Sequence, residues 1–456
     1  MPLDHTRPEA GSLGLAVATL PATGRERLGS LVLNFGGPGA PGVETLAAHG
    51  QEFADLREEY DLVAFDPRGV GHSAPVSCGG SLEPDEPDAS DTSGAPDGPD
   101  ADDPAAQLAG LRAVAERCVR HSGPVLGYMG TVHVARDLDL LRRALGERKL
   151  HYLGFSYGTR IGVAYAAQFP RQTGRMALDG VDTIAEPLAE QALASAGGQQ
   201  QALDNFLAWC ARQDDCVYGN NTRSAKGKVA ALVARLDRDP LPDGHGWYFT
   251  GQDAVAAIAV ALYSKDNWPG LARGLRMAES YRDPGGLLDL VGGGEESPAP
   301  PEDGVPRDNG LAALAAVNCA DDPDRGDAGT GPEALWRETL ELEDAFRKAS
   351  PVFGPAQLMT VLSCYGRPRG SDFLRRIDRP PGIPRMLLVG TRGDPATPYR
   401  WTEETARRLG PAAVILDYKG DGHTGYTASA CVRGRVNAFL LDGELPHGTR
   451  SCPADG

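Results

Sequence analysis

No stretch of the chain comes near the roughly 20 consecutive apolar residues that a helix needs to cross a bilayer. The run from Ala254 to Leu262 is nine residues long and reads as a buried helix. Basic surface is scarce as well: 45 Lys and Arg stand against 62 Asp and Glu, a formal net charge of −17. That balance excludes the basic footprint of a nucleic-acid partner, and like-charge repulsion argues against an anionic membrane surface. No Cys-x-x-Cys pair occurs, which weakens zinc and thioredoxin-like readings. The opening segment MPLDHTRPEAGSLGLAVATL has no basic stretch followed by an apolar one, so no signal peptide is visible. The chain is then either cytoplasmic or a mature form with a starting Met added.

What is present bounds the answer further. A length of 456 residues exceeds one ordinary domain of roughly 100–200 residues. One large catalytic domain with an insertion fits, as do two domains. Hydrophobic residues make up 41% and charged residues 23%, enough for a large core. Residues 81–104 (SLEPDEPDASDTSGAPDGPDADDP) hold nine acidic residues and no Lys or Arg. Such composition cannot build a core and suits a mobile surface loop. The cysteines number eight, and eight permit 105 pairings. Their even number and medium spacing suit disulfides in an oxidising compartment, which favours the mature, secreted form. Pairing neighbours in order joins 78 with 118, 210 with 216, 319 with 364 and 431 with 452. The alternative is eight buried free thiols.

Short apolar runs bounded by Gly and Pro read as strands buried on both faces. They are Leu13 to Leu20, Leu31 to Phe35, Asp61 to Phe65, Leu150 to Gly154, Arg175 to Leu178, Met386 to Gly390 and Val414 to Tyr418. Residues 105–121, 131–145 and 429–441 read as helices, and a further helix follows Ser156 until Pro170 stops it. Between about 183 and 380, Ala-rich helical segments alternate with Gly/Pro-rich breaks. Strands alternating with helices on both sides of this insertion indicate a parallel α/β sheet. The expected division is a core over 1–182 and 381–456, with a mostly helical cap over 183–380.

Gly154-Phe155-Ser156-Tyr157-Gly158 is a G-x-S-x-G pentapeptide with a strand before it and a helix after it. A serine at such a tight turn stands exposed above a helix N-terminus, where developing negative charge is favoured. A bare pentapeptide can arise by chance in a chain with 58 glycines; the strand–turn–helix context makes Ser156 a nucleophile rather than a turn residue. A serine hydroxyl needs a base. His423, in the glycine-rich loop after the strand 414–418, lies where open α/β sheets place their sites. The imidazole needs a carboxylate to fix its tautomer. Asp394, in the turn Thr391-Arg392-Gly393-Asp394-Pro395, supplies it, and the order Ser, acid, His is that of one hydrolase architecture. Asp421 is a rival acid but sits two residues from His423. Oxyanion donors are expected from the backbone of Tyr157 and from the loop Asn34-Phe35-Gly36-Gly37-Pro38-Gly39.

FGGPG, DPRGVGHS, GFSYGTRIG, LDGV, GDPATP and GHTGY occur in this order along the chain. The set resembles the proline-iminopeptidase-like peptidases of the α/β-hydrolase superfamily, and most of all their actinobacterial tripeptidyl aminopeptidase subgroup. The resemblance spans nearly the whole chain, including PLDHTRP. It implies an α/β-hydrolase fold with a mostly parallel central sheet and a large helical cap. It implies hydrolysis of peptides from a free N-terminus, or of related esters and amides, by a protein that is often secreted. By matching position, Ser156, Asp394 and His423 form the triad, Gly37 and Tyr157 the oxyanion hole, and Thr397 sits near the acid. Phe35 replaces the first residue of the more usual HGGPG, so no histidine acts there.

An aminopeptidase needs a carboxylate for the substrate ammonium, because an unpaired buried ammonium is costly. Asp321 and Asp322 are the candidates within the insertion; the plainer reading is an acidic surface turn. No metal or organic cofactor is implied, and a monomer is expected. Two other functions remain: an esterase or amidase acting on a small natural product with the same triad, and a binding protein that kept the fold without catalysis.

Overall fold

The computed structural model describes residues 1–82, 104–244, 246–292, 304–324, 331–368 and 370–454. Apart from its two ends, the acidic stretch 81–104 lies outside the described residues. The strands are β1 (Val17–Leu20), β2 (Gly29–Asn34), β3 (Tyr60–Phe65), β4 (Leu150–Phe155), β5 (Thr173–Asp179), β6 (Leu241–Pro242), β7 (Tyr248–Phe249), β8 (Met386–Gly393), β9 (Ala413–Asp421) and β10 (Ser451–Cys452). Eight of them form one sheet in the order β1-β3-β2-β4-β5-β8-β9-β10, while β6 and β7 pair with each other. Within the large sheet β1 pairs antiparallel with β3; the other pairings are parallel. Parallel strands need crossovers, and helices supply them on both faces.

Side chains alternate along a strand, and β2 displays the consequence. Leu31 and Leu33 enter the apolar cluster on one face with Leu62, Leu153, Val389 and Val414. Val32 enters the cluster on the other with Val63, Tyr152, Leu178 and Leu388. The chain runs from β2 outward to β3, then returns to place β4 on the other side of β2. That reversal opens a crevice at the carboxyl ends of β2 and β4, and both glycine-rich motifs lie there.

The segment between β5 and β8 is helical, led by Leu188–Cys210, Thr222–Arg238, Gly251–Ala261 and Trp268–Ser280. These helices bury Phe206, Val229, Ile258, Trp268 and Leu271 in a cluster of their own. The third starts on a reciprocal capping box between Thr250 and Asp253, which satisfies two of its orphan N–H groups. Helix Asn309–Asp321 behaves differently: its Ala312, Ala313, Ala316 and Val317 join the cluster against the sheet. Among the described residues no helix is long and apolar enough to cross a membrane.

Four disulfides join Cys78 to Cys118, Cys210 to Cys216, Cys319 to Cys364 and Cys431 to Cys452. Neighbours in order are paired, and no cysteine is free. The strand expected from Leu13 begins only at Val17, because Leu13 donates its N–H to the Met1 carbonyl at 2.8 Å. That folded-back end is clamped by Arg68, fully buried, which grips Asp137 with two nitrogens and also donates to the carbonyls of Pro2 and Leu3.

Candidate active site

Ser156 has φ of +53°, a left-handed backbone that costs a residue with a Cβ roughly 1–2 kcal/mol. The surrounding structure enforces it. Ser156 donates its N–H to the Asp179 carbonyl at 2.9 Å, and its own carbonyl accepts from Thr159 N–H and Oγ1 at 2.9 and 2.7 Å. Glycine is required on both sides of it. A Cβ at Gly154 would stand 2.7 Å from the Gly158 carbonyl oxygen, and one at Gly158 would stand 2.6 Å from Asn34 Oδ1. The serine is thus held up at the head of helix Gly158–Gln168.

Asp394 is 3% exposed and follows β8. It accepts from Ala396 N–H and Thr397 N–H at 2.8 Å each, from Thr397 Oγ1 at 2.9 Å and from Thr424 N–H at 3.2 Å. His423 Nδ1 lies 2.9 and 3.0 Å from its two oxygens. This leaves Nε2 as the ring nitrogen available for proton exchange. Asp421 is turned aside: its carboxylate accepts from Asn205 Nδ2 at 2.7 Å. Burial alone would depress the His423 imidazole, but the Asp394 charge and hydrogen bond, with Asp179 and Asp182 adding, hold it above the ordinary value. A base must be neutral to act. The acid limb of kcat/KM should therefore have its midpoint above the ordinary imidazole value of about 6.5; a midpoint below it would remove His423 from that role.

Gly36, at φ +89°, packs against the serine turn so closely that a Cβ there would meet Phe155 O at 2.7 Å and Ser156 Cβ at 2.9 Å. Gly37 lines the same cavity as Ser156. Phe35 stacks on Phe155 with the planes 2° apart, and Phe53 and Tyr426 complete that aromatic cluster.

Three neighbours of the site are assigned no role from the sequence, although Asp179 lies within the LDGV motif. Tyr263, from the helical segment, accepts the His423 N–H on its carbonyl at 2.8 Å and sets its ring edge-on to the imidazole at 5.1 Å. Asp179, at the end of β5, accepts from Gly425 N–H at 3.0 Å and Tyr426 N–H at 2.8 Å, so it clamps the histidine loop as well as the serine turn. Burial pushes its carboxyl up to about 6 against those hydrogen bonds. Asp182 lines the cavity in an ion pair with Arg160, Nε to Oδ2 2.8 Å.

Asp321 and Asp322 are not brought to that cavity, which corrects the expectation placed on them. Asp321 is buried at the end of its helix and accepts from Thr131 N–H at 2.9 Å and from Thr131 Oγ1. Asp322 pairs with Arg375 at 2.7 Å. Neither is a surface turn, since both are under 10% exposed; each satisfies internal donors instead. Thr397 does stand beside the acid and lines the cavity.

A strained serine between two glycines, a histidine held by a buried carboxylate, and a glycine loop packed on the serine turn define a serine hydrolase. A family model described as the alpha/beta hydrolase fold matches residues 30–279, and one described as TAP-like protein matches residues 350–452. Serine protease Hip1 of Mycobacterium tuberculosis is 32% identical over 99% of this chain and 86% of its own length. Tripeptidyl aminopeptidase of Streptomyces coelicolor is 30% identical over 97% of this chain and 80% of its own. Carboxylesterase B of Mycobacterium tuberculosis is 33% identical over 99% and 85%. The chain belongs to the α/β-hydrolase family.

Proposed function

We propose that this serine hydrolase cleaves peptides near a free N-terminus and releases short N-terminal peptides through an acyl-enzyme. Ser156 Oγ attacks the scissile carbonyl while His423 takes its proton. Asp394 holds the imidazole tautomer and stabilises the imidazolium. The backbone N–H groups of Gly37 and Tyr157 receive the oxyanion. His423 then protonates the leaving amine. Water attacks the acyl-enzyme in the second step with His423 again as base, and the released acid and regenerated serine close the cycle.

The observation that carries this reading is that Ser156 lines two cavities. One, about 420 Å³, presents amides and hydroxyls, among them Gln191, Ser195, Gln199, Asn318 and Gln357, between apolar side chains such as Leu188, Leu311 and Leu314. The other, about 200 Å³, has Phe35, Phe53 and Phe155 beside Thr45, Glu52 and Thr427, and reaches His423. A peptide needs such a division: hydrogen-bonding room for the main chain of the acyl part, and a separate slot for the leaving part. The larger cavity is within the roughly 300–1,000 Å³ of ligand clefts. Asp182 is the one carboxylate among the described residues that line it, and we assign it to the substrate ammonium. Residues 183–380 act as the cap that sets substrate length. Four disulfides support an oxidising, extracellular location, and a monomer suffices because one chain carries every proposed group.

The relatives named as a serine protease and a tripeptidyl aminopeptidase support the peptidase reading. The relative named carboxylesterase B favours the second, an esterase or amidase with the same three residues. Tripeptidyl, aminoacyl and N-blocked chromogenic substrates separate the two, with products identified by mass spectrometry. The expected result is fastest release from an unblocked tripeptidyl amide. Activity confined to N-blocked compounds or simple esters overturns the peptidase reading.

A further inference from the structure

A third cavity, of about 480 Å³, shares no lining residue with the two that Ser156 reaches. Its walls are mostly small and apolar, including Ala115, Val119, Leu126, Val132 and Ala316, and among the described residues one cation lines it, Arg367. Arg367 is 7% exposed. Its side chain donates to Cys118 Sγ at 3.4 Å, a sulfur already committed to a disulfide and a weak acceptor. The other buried arginines show what this chain ordinarily does with such a group. Arg68 meets Asp137 at 2.7 Å, Arg142 meets Asp139 at 2.9 Å, and Arg160 meets Asp182 at 2.8 Å. Among the described residues Arg367 has no carboxylate within ion-pair distance. Burial disfavours its charged form and, among the described residues, no neighbouring charge opposes that. A buried guanidinium without a counter-charge is strongly unfavourable, and at the wall of a cavity an anion from solution relieves it.

We propose that this cavity binds a small ligand made of an apolar body and one carboxylate, the carboxylate pairing with Arg367. An acyl chain and an apolar peptide with a free C-terminus share that chemistry. Helix Asn309–Asp321 separates this site from the serine: Leu314, Ala315 and Asn318 line the Ser156 cavity, while Ala316, Cys319 and Ala320 line this one. The adjoining Thr131 bonds both Asp321 and the hydroxyl of Tyr157, the residue after the serine.

Calorimetric titration of the whole protein tests this with octanoate against octanol, and with N-acetyl-leucyl-leucine against its amide. At least one carboxylate should bind with a stoichiometry near one and at least tenfold tighter than its uncharged counterpart. Which of the two binds tighter identifies the source. Arg367→Met should lose at least tenfold of that affinity and keep or raise the melting temperature, because an apolar side chain of similar volume removes an unpaired charge. Equal binding of charged and uncharged ligands, no binding of either carboxylate, or full affinity in folded Arg367→Met overturns the proposal. If Arg367→Met does not fold, the ligand comparison on the unaltered protein decides alone.

Discussion

Ser156→Ala is expected to lower kcat by about 10⁶-fold, the order seen when the serine of a triad is removed. The proposed chemistry passes through Ser156 Oγ, and the other groups have nothing to activate without it. Binding should survive: Ser156 is one of many residues that line the two cavities, and alanine removes only its hydroxyl, so KM or an inhibitor constant should change little. The backbone adds a second expectation. At φ +53° alanine keeps the left-handed penalty that serine bears, whereas glycine escapes it. Ser156→Gly should therefore be more stable than Ser156→Ala by roughly 0.5–1 kcal/mol, the left-handed cost less the entropy that glycine loses on folding. Parallel kinetics and thermal melts check both. Retention of more than about a hundredth of kcat in the alanine variant would place the nucleophile elsewhere.

Asp394→Asn should lower kcat by about 10⁴-fold, through the wrong imidazole tautomer. The carboxylate accepts from three backbone N–H groups, one hydroxyl and the His423 ring. An amide turns one acceptor end into a donor. Either His423 Nδ1 then faces an N–H and loses its orientation, or buried backbone donors do. The latter costs about 1–3 kcal/mol of stability, so a lower melting temperature should accompany the kinetic loss. Asp421→Asn is the control. Its bond to Asn205 lies outside the proposed chemistry, and kcat should stay within about tenfold of the unaltered protein. Equal losses in the two variants would mean that Asp394 is not the acid. The acid limb offers an independent check, because the shift of His423 depends on the Asp394 charge.

The legible part of this molecule was local. β4, the turn at Ser156 and the helix after it occupy consecutive residues. Glycine at 154 and 158 is required by clashes with Gly158 and Asn34, and a short pattern records that requirement. The same holds for Asp394, whose loop closes on Thr397 three residues later. Strand edges were less legible. β1 starts late because Leu13 pairs with Met1, and β10 is two residues beside β9, held near by the Cys431–Cys452 bridge. Neither involves a periodic apolar pattern, so neither leaves one to read.

Asp321 and Asp322 mark the boundary from the other side. A carboxylate in the insertion was expected to face the substrate, since an ammonium needs one. Both carboxylates instead serve donors far away in sequence, Thr131 and Arg375. Asp182 reaches the cavity instead, just past the carboxyl end of β5.

By itself the sequence determined the parallel α/β architecture and singled out Ser156, Asp394 and His423, in that order, as the proposed serine, acid and base, since each lies in a backbone run of a few residues ending at a strand terminus. Tertiary structure alone decided what surrounds them. Tyr263 reaches the histidine across 160 residues and Asp179 clamps its loop across 246. Among the described residues Arg367 ends without a carboxylate while three other buried arginines find one. Such pairings are set by which surfaces meet when helices close over the sheet, and no local propensity encodes that meeting.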